Sequence, residues 1–106
     1  MAFNYCVTAR LANKSINGKT YEERRQTLIN NIRTNGLGYW DEPTSFYLVE
    51  STLHTDQFAA KACKGLSASE DLVFVFDPED KSASYFGAVE HVDVLRSFFP
   101  KLKKVP

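Results

Sequence analysis

An α+β fold is predicted by three features of this 106-residue sequence. Residues 3–11 alternate apolar and polar side chains, which is typical of a strand with one buried face. Residues 71–77 form an apolar run between two aspartates, which is typical of a strand that is buried on both faces. Residues 20–36 begin with a capping box and continue at helical spacing. The length favours a single domain over residues 1–106.

The first strand is predicted over residues 3–11. Successive side chains of a strand point to opposite faces of the sheet. One face carries Asn4, Cys6, Thr8 and Arg10, so we expect it to be the wetter one. The face expected to join the core carries Phe3, Tyr5, Val7, Ala9 and Leu11.

Residues 12–19 are rich in turn-forming residues and are predicted to be a loop, after which a helix begins at Thr20. The segment Thr20-Tyr-Glu-Glu23 is a capping box, in which the threonine hydroxyl and the glutamate carboxylate accept hydrogen bonds from free amides of the first turn. Gly36 is expected to end the helix in a left-handed conformation. The apolar stripe of this helix consists of Tyr21, Leu28, Ile29 and Ile32.

A hairpin is predicted around the turn Asp41-Glu-Pro-Thr44. Residues 37–40 form its first arm and residues 45–51 its second arm. The second arm carries apolar groups on both faces. One face has Phe46 and Leu48, and the other has Tyr47 and Val49.

A second helix is predicted over residues 52–65, with Thr55 or Thr52 as its N-cap. Its small residues permit close packing on a sheet. The strand at residues 71–77 follows, and the turn that begins at Pro78 ends it.

A short third helix is predicted after Gly87, because apolar residues recur every three or four positions until Pro100. The predicted order is therefore strand, helix, strand, strand, helix, strand and terminal helix. This order is the ferredoxin-like βαββαβ pattern, an antiparallel four-stranded sheet with two helices on one face, followed here by a short C-terminal helix.

Both faces of the strand at residues 71–77 are apolar. We expect a chain of this length to cover one face of the sheet with helices, and a second copy of the chain to cover the other face. The sequence therefore predicts a homodimer. The side chains expected at the dimer interface are Tyr47, Val49, Val73 and Val75.

The composition argues against several functional classes. Thirteen basic and thirteen acidic residues give a formal net charge of +0, without the positive field that is common in nonspecific nucleic-acid binders. No apolar run reaches the ~18 residues of a membrane span, and the first residues lack the pattern of a signal peptide. We therefore expect a cytoplasmic protein without membrane contact. The basic segment at residues 101–104 is expected to be a solvated tail.

The two cysteines, Cys6 and Cys63, are too few for a disulfide framework. They also lack the Cys-x-x-Cys spacing of structural zinc sites. Neither a phosphate-binding loop nor a nucleophile motif is present. No cofactor is therefore expected, except for magnesium if the chain is a nuclease.

Three segments resemble one group of protein families: the first strand, the aromatic hairpin over residues 39–51 and the strand at residues 71–77. The chain resembles the small ferredoxin-like proteins related to the CRISPR-associated adaptation subunit 2, to virulence-associated protein D and to SinR-like proteins. This resemblance covers roughly residues 3–80. It implies a homodimer, and for some members a metal-dependent nuclease. In those members an aspartate near the end of the first strand of each subunit is tied to the activity.

The matching stretch of this chain is Val7-Thr-Ala-Arg-Leu11, which places Arg10 at the position of that aspartate. Because an arginine repels a divalent cation and attracts an anion, Thr8 and Arg10 are candidates for contact with a phosphate or carboxylate, including the backbone of a nucleic acid. The alternative is that Arg10 pairs with an acidic residue across the sheet or across the dimer.

Asp77, Glu79 and Asp80 follow the strand at residues 71–77. They are either metal ligands at a strand end or solvated carboxylates of a turn. His54 lies near the start of the second helix and is either a general base or a solvated surface side chain. Asp77 and His54 are thus the candidates for catalysis.

Three functions fit these observations. The first is a noncatalytic ferredoxin-like homodimer that acts as a binding or regulatory module. The second is a magnesium-dependent endoribonuclease that uses Asp77 or the neighbouring turn acids as ligands. The third is an antitoxin-like or antagonist module that presents a sheet edge or an open face to another protein.

Overall fold

A computed structural model describes residues 2–106 as a small mixed α/β fold with three helices and one six-stranded sheet. The helices are α1 (Tyr21–Ile32), α2 (Thr55–Ala62) and α3 (Val92–Phe98). The strands are β1 (Phe3–Arg10), β2 (Tyr39–Trp40), β3 (Phe46–Ser51), β4 (Leu72–Phe76), β5 (Ala83–Gly87) and β6 (Lys103–Lys104). Within residues 2–106, each helix is too short or too polar to cross a membrane.

The strand order in the sheet is β2-β3-β1-β4-β5-β6. The first five strands pair antiparallel with their neighbours, whereas β6 runs parallel to β5. The prediction of a four-stranded sheet is therefore wrong, because β5 and β6 extend the sheet beyond β4. The α+β character of the prediction is confirmed.

The C-terminal segment was predicted to be a solvated tail, and this prediction is wrong. Leu102 and Val105 are buried, and the Val105 amide donates a hydrogen bond to the Tyr85 carbonyl at 2.8 Å. The intervening residues Lys103 and Lys104 form β6 and keep their side chains exposed. Two apolar side chains therefore fix a basic segment to the sheet edge.

The capping box of α1 is confirmed. The Thr20 hydroxyl accepts the Glu23 amide at 3.1 Å, and the Glu23 carboxylate accepts the Thr20 amide at 2.9 Å. The helix ends at Ile32, because the next residue, Arg33, is already extended at φ −81° and ψ 142°. Gly36 has the expected positive φ of 85°, but it lies in the loop after the helix.

The second helix is shorter than the predicted range of residues 52–65. It covers Thr55–Ala62, and its N-cap is His54 rather than Thr55 or Thr52. The Thr55 hydroxyl forms a hydrogen bond with the Ser82 hydroxyl at 2.5 Å instead of capping the helix. A contact to a turn distant in sequence has thus replaced the expected local one.

The inner face of the sheet is covered by α1 and α2. The four residues expected at a dimer interface, Tyr47, Val49, Val73 and Val75, lie in this core and are at most 3% exposed. Their assignment to an interface is wrong, because Tyr47 is the register partner of Val7 and therefore shares the helix-covered face of β1. Both faces of these strands are apolar, so the sequence alone did not reveal which face the helices cover.

The outer face of the sheet is half covered. α3 and the residues after it pack on β4 and β5, with the Phe99 ring 5.1 Å from Phe74 and 5.0 Å from Phe76. Val92 and Leu95 of α3 pack in the same apolar cluster as Phe74, Phe76 and Phe99. Their spacing of three residues in the sequence predicted that they share one face of a helix. The expectation that this chain covers only one face of the sheet with its own helices is therefore wrong for this half of the sheet.

A buried ion pair joins α1 to the start of β4. Arg24 and Asp71 are 1% and 0% exposed, and the Arg24 guanidinium reaches Asp71 with contacts of 2.6 and 3.4 Å. The Arg24 guanidinium also donates to the carbonyls of Ala12 and Lys14, at 3.0 and 2.8 Å. Each of its hydrogen-bonding nitrogens thus has a partner, and the loop at residues 12–19 is held against α1.

The Asp71 carboxylate is also fully engaged. It accepts the backbone amides of Ala12 and Ser67, both at 2.9 Å, in addition to Arg24. Burial alone would raise the pKa of Asp71, but the hydrogen bonds from Arg24 and the two amides outweigh burial and lower it. Asp71 is therefore ionised, and its hydrogen bonds tie the start of β4 to α1 and to the backbone at Ala12 and Ser67.

Candidate functional site

The uncovered half of the outer sheet face is the candidate site, and we call it the open face. Trp40 and Leu48 are 40% and 43% exposed at its centre. A groove of about 540 Å³ runs beside them. The residues of the open face are Asn4, Cys6, Thr8 and Arg10 of β1, Trp40 of β2, and Phe46, Leu48 and Glu50 of β3.

The strand register arranges the open face in rows. Asn4 is paired with Glu50, and Cys6 is paired with Leu48. The face is thus polar and acidic at one end, apolar at its centre and basic at Arg10. Asn4 and Arg10 are six positions apart on one strand, so the two ends are about 20 Å apart.

The two residues predicted to contact an anion lie near the basic end. The Thr8 hydroxyl donates to the Ser45 carbonyl at 3.1 Å. Arg10 is exposed and takes part in none of the ion pairs formed among residues 2–106. The expected pairing of Arg10 with an acid of its own sheet is therefore not made, whereas pairing across a dimer stays a prediction.

The acidic cluster after β4 is a hydrogen-bonded turn. Asp77 is 4% exposed, and its carboxylate accepts the Glu79 amide at 2.8 Å. The Asp80 carboxylate accepts both the amide and the hydroxyl of Ser82, and these bonds lower the pKa of Asp80. Within residues 2–106, no three His, Cys, Asp or Glu side chains are grouped to hold a metal ion. These positions favour the turn interpretation.

His54, the other candidate for catalysis, is an exposed residue at the N-cap of α2. Its ring lies 5.3 Å from the Phe3 ring, and its backbone amide donates to the Gln57 side chain at 3.4 Å. No hydrogen bond among residues 2–106 joins His54 to Asp77, so the structure does not bring the two candidates together as an acid–base pair.

Cys6 and Tyr39 are polar groups beside the groove that burial keeps uncharged. Burial and the nearby Asp77 carboxylate raise the pKa of the Cys6 thiol, so it is not activated as a nucleophile. Burial is the largest cause, and the negative charge of Asp41 the next, of a rise in the pKa of Tyr39 to about 12. The Tyr39 hydroxyl is buried without a hydrogen-bond partner among residues 2–106, and Arg33 lies over its ring at 4.7 Å. Neither group is suited to proton transfer at neutral pH.

Sequence reasoning did not find the open face as a surface. The alternation in residues 45–51 separated Leu48 from Tyr47 but did not reveal which of them the helices cover. The signal was present in β1, where the wetter side of the strand was identified correctly. Register pairing of Cys6 with Leu48 then identifies the open side of β3.

Comparison of the chain with protein-family models, curated proteins and solved structures gives no match. The resemblance to proteins related to the CRISPR-associated adaptation subunit 2 therefore stays a prediction. The candidate site rests on its own geometry, an exposed apolar centre between an acidic end and a basic end.

Proposed function

We propose that this chain is a noncatalytic binding module that forms a homodimer through the open face. We also propose that β1 to β4, with α1 and α2, form a ferredoxin-like unit. Their order in the sheet is β2-β3-β1-β4 with antiparallel pairing throughout, which agrees with two interleaved βαβ halves. The segments β5, α3 and β6 then extend this unit at one edge.

The exposure of Trp40 and Leu48 on the open face carries the proposal. Aromatic and aliphatic side chains at the centre of a flat polar-rimmed surface are typical of interfaces. A stable interface buries about 800 Å² on each partner, which is more than two side chains supply. Asn4, Thr8 and Glu50, which surround the apolar centre, must therefore join the interface.

The charges of the open face favour a second copy of the same chain. A twofold axis that crosses the strands near Cys6 and Leu48 exchanges the two ends of the face. Arg10 of each copy then lies near Glu50 of the other, so two ion pairs flank the apolar centre. An axis parallel to the strands would bring the two Arg10 side chains together instead. The formal net charge of +0 adds no long-range repulsion between copies.

Sedimentation equilibrium of the purified chain tests this interface. We expect a dimer at about 100 μM, since interfaces of this kind have micromolar or tighter dissociation constants. Leu48→Lys should yield a monomer because it places two charges at the apolar centre. Ala60→Lys, an exposed position on α2, is the matched control and should leave the dimer intact.

A separate variant tests a competing surface. Val94 is 58% exposed on α3, outside the open face. If Val94→Lys dissociates the dimer and Leu48→Lys does not, the proposed interface is wrong. If the native chain is a monomer at about 100 μM, the homodimer is wrong, and a different protein becomes the preferred occupant of the open face.

The orientation of the dimer is tested by a double-mutant cycle. Arg10→Glu places an acid beside Glu50 of the other copy and should weaken the dimer about tenfold. The same substitution should cost clearly less in a Glu50→Gln background, because the repulsion is absent. Glu50→Gln retains a side-chain oxygen that can accept the Gly38 amide, a bond of 2.9 Å in the native chain. Equal costs in both backgrounds would refute the proposed orientation.

The endoribonuclease hypothesis has its own test. Magnesium-dependent cleavage of RNA that disappears in Asp77→Asn would overturn the noncatalytic proposal. Circular dichroism must show that the variant is folded, because Asp77 is buried and caps its turn.

A further inference from the structure

A second cleft, of about 460 Å³, lies on the inner side of the sheet where the N-terminus of α2 meets β5 and β6. We call it the α2 cleft. It is separate from the open face, which lies on the outer side. The lining residues with side-chain donors are His54, Thr55, Ser82, Ser84, Lys101 and Lys103. The hydroxyls of Thr55 and Ser82 bond to each other, and the Lys101 ammonium donates to the Asp80 carbonyl at 2.9 Å.

Ser84 is the feature that points to a ligand. It is 2% exposed and lines the α2 cleft. Its hydroxyl takes part in none of the side-chain hydrogen bonds among residues 2–106, so its remaining accessible surface faces the cleft without a protein partner. The buried side-chain oxygen without a partner among residues 2–106 belongs to Tyr39, so the Ser84 hydroxyl is not sealed inside the protein but reaches the cleft, where it can donate to a bound group.

The N-terminus of α2 supplies further donors. The first helical hydrogen bond runs from the Phe58 amide to the His54 carbonyl at 2.8 Å. The amides of Thr55 and Asp56 precede it and have no helical acceptor. The His54 side chain does not cap them. Amides at a helix N-terminus favour a negative group, both as donors and through the helix dipole.

Lys103 adds a positive charge next to Ser84. The two residues are register partners in the parallel pairing of β5 with β6, so their side chains leave the same face of the sheet. Lys104 is the register partner of Tyr85 and leaves the opposite face. The side chain of Lys103 therefore lines the α2 cleft, and that of Lys104 does not.

The acids beside the cleft limit the charge that it accepts. The Asp80 carboxylate is held by Ser82, and the Asp56 carboxylate accepts the Gln57 amide at 2.9 Å. Two aspartates against Lys101 and Lys103 give no excess of positive charge among these four groups. This balance disfavours a polyanion such as a nucleic-acid backbone. It is compatible with one anionic group held by directed donors.

We propose that the α2 cleft binds a small molecule through a single phosphate or carboxylate group. The Ser84 hydroxyl and the amides of Thr55 and Asp56 donate to this group, and Lys103 neutralises its charge. A cleft of about 460 Å³ lies within the size range of small-molecule sites.

Amide chemical-shift titration tests the proposal, with inorganic phosphate and acetate as separate probes and with ionic strength held constant by sodium chloride. We expect saturable shifts at Thr55, Asp56, Ser84 and Lys103 with at least one probe, and the stronger probe identifies the anionic group. Ser84→Ala and Lys103→Met should each weaken binding about tenfold. Lys104→Met, which removes the same charge from the other face, should leave the dissociation constant unchanged.

The proposal would be overturned if the shifts rose linearly with both probes up to ~20 mM, because binding with a millimolar dissociation constant would be close to saturation at that concentration. It would also be overturned if Lys103→Met and Lys104→Met had equal effects on the dissociation constant, or if Ser84→Ala bound the probe as tightly as the native chain. Lys103 is exposed, so its variant tests the cleft even if a change at the buried Ser84 impairs folding. The residues concerned lie on the inner side of the sheet, so the titration reports on the cleft whether or not the open face forms a dimer.

Discussion

Removal of the Asp71 carboxylate is the sharpest test of how this fold is held together. Asp71→Asn keeps the shape of the side chain but removes the charge that Arg24 faces at 2.6 Å. It also replaces one acceptor oxygen with a donor, although both oxygens receive hydrogen bonds in the native chain. A guanidinium that is 1% exposed would remain in the core without a counter-ion.

The expected loss of unfolding free energy is about 3–5 kcal/mol, the range observed when one partner of a buried ion pair is removed. A domain of this length has roughly 5–15 kcal/mol of total stability, so Asp71→Asn should be folded but marginal. Arg24→Met should cost a similar amount, because it leaves a buried carboxylate with only the amides of Ala12 and Ser67 as donors. The double variant should be more stable than the sum of the two losses implies, by at least about 2 kcal/mol.

Urea denaturation followed by circular dichroism measures these free energies, with Lys14→Met as the matched control. Lys14 forms an exposed ion pair with Glu70 at 3.0 Å, which should contribute at most about 1 kcal/mol. A loss below about 1 kcal/mol for Asp71→Asn would refute the argument, since a buried unpaired charge costs several times more. Additive losses in the double variant would show that the two residues are not coupled.

The ion pair also predicts a dependence on pH. The pKa of Asp71 is lower in the folded chain than in the unfolded chain, so the unfolded chain takes up the proton first as pH falls. The contribution of Asp71 to stability is therefore complete above about pH 4 and is lost on further acidification through the lowered pKa. Arg24→Met removes the hydrogen bonds and the charge by which Arg24 helps to lower the pKa of Asp71, so the difference in stability between native and variant chains should shrink as pH falls. A constant difference would contradict this assignment.

Three further predictions test local features of the fold. Gly87→Ala should lose more than about 2 kcal/mol in urea denaturation, because an added Cβ meets the Asp71 carbonyl oxygen at 1.8 Å and φ is +87°. Gly18→Ala is the control, because φ is +79° and no atom lies within 4 Å of the added Cβ, so it should lose only the about 1–2 kcal/mol that a left-handed backbone costs an alanine. Equal losses of unfolding free energy in Gly87→Ala and Gly18→Ala would refute the clash. Thr20→Ala should lose about 1 kcal/mol by removing the α1 cap, whereas the exposed Thr52→Ala should have almost no effect. Cys63 is 5% exposed and burial raises its pKa to about 12, so a thiol reagent at neutral pH should modify it only after unfolding, and rapid modification in the native chain would contradict its burial.

The open face can be deduced from local sequence patterns, whereas the ion pair of Arg24 and Asp71 cannot. The open face follows from strand alternation once one buried residue, such as Val7, identifies the helix-covered side. The pair of Arg24 and Asp71 is 47 positions apart, and no local pattern links them. Arg24 lies outside the apolar stripe of α1, so its position in the helical repeat predicts a solvated side chain. In the structure, the loop at residues 12–19 covers it and accepts its hydrogen bonds.

The sequence by itself determined β1, the start of α1, the apolar stripe of α3 and the α+β class, because alternation, a capping box and helical spacing act between residues close in the chain. Only the tertiary structure decided which face of β3 and β4 the helices cover. It also decided that β5 and β6 extend the sheet and that Thr55 bonds to Ser82 instead of capping α2. The physical reason is that each of these outcomes depends on contacts between distant segments, where burial of Val105, Phe86 and Phe99 outweighs local preferences.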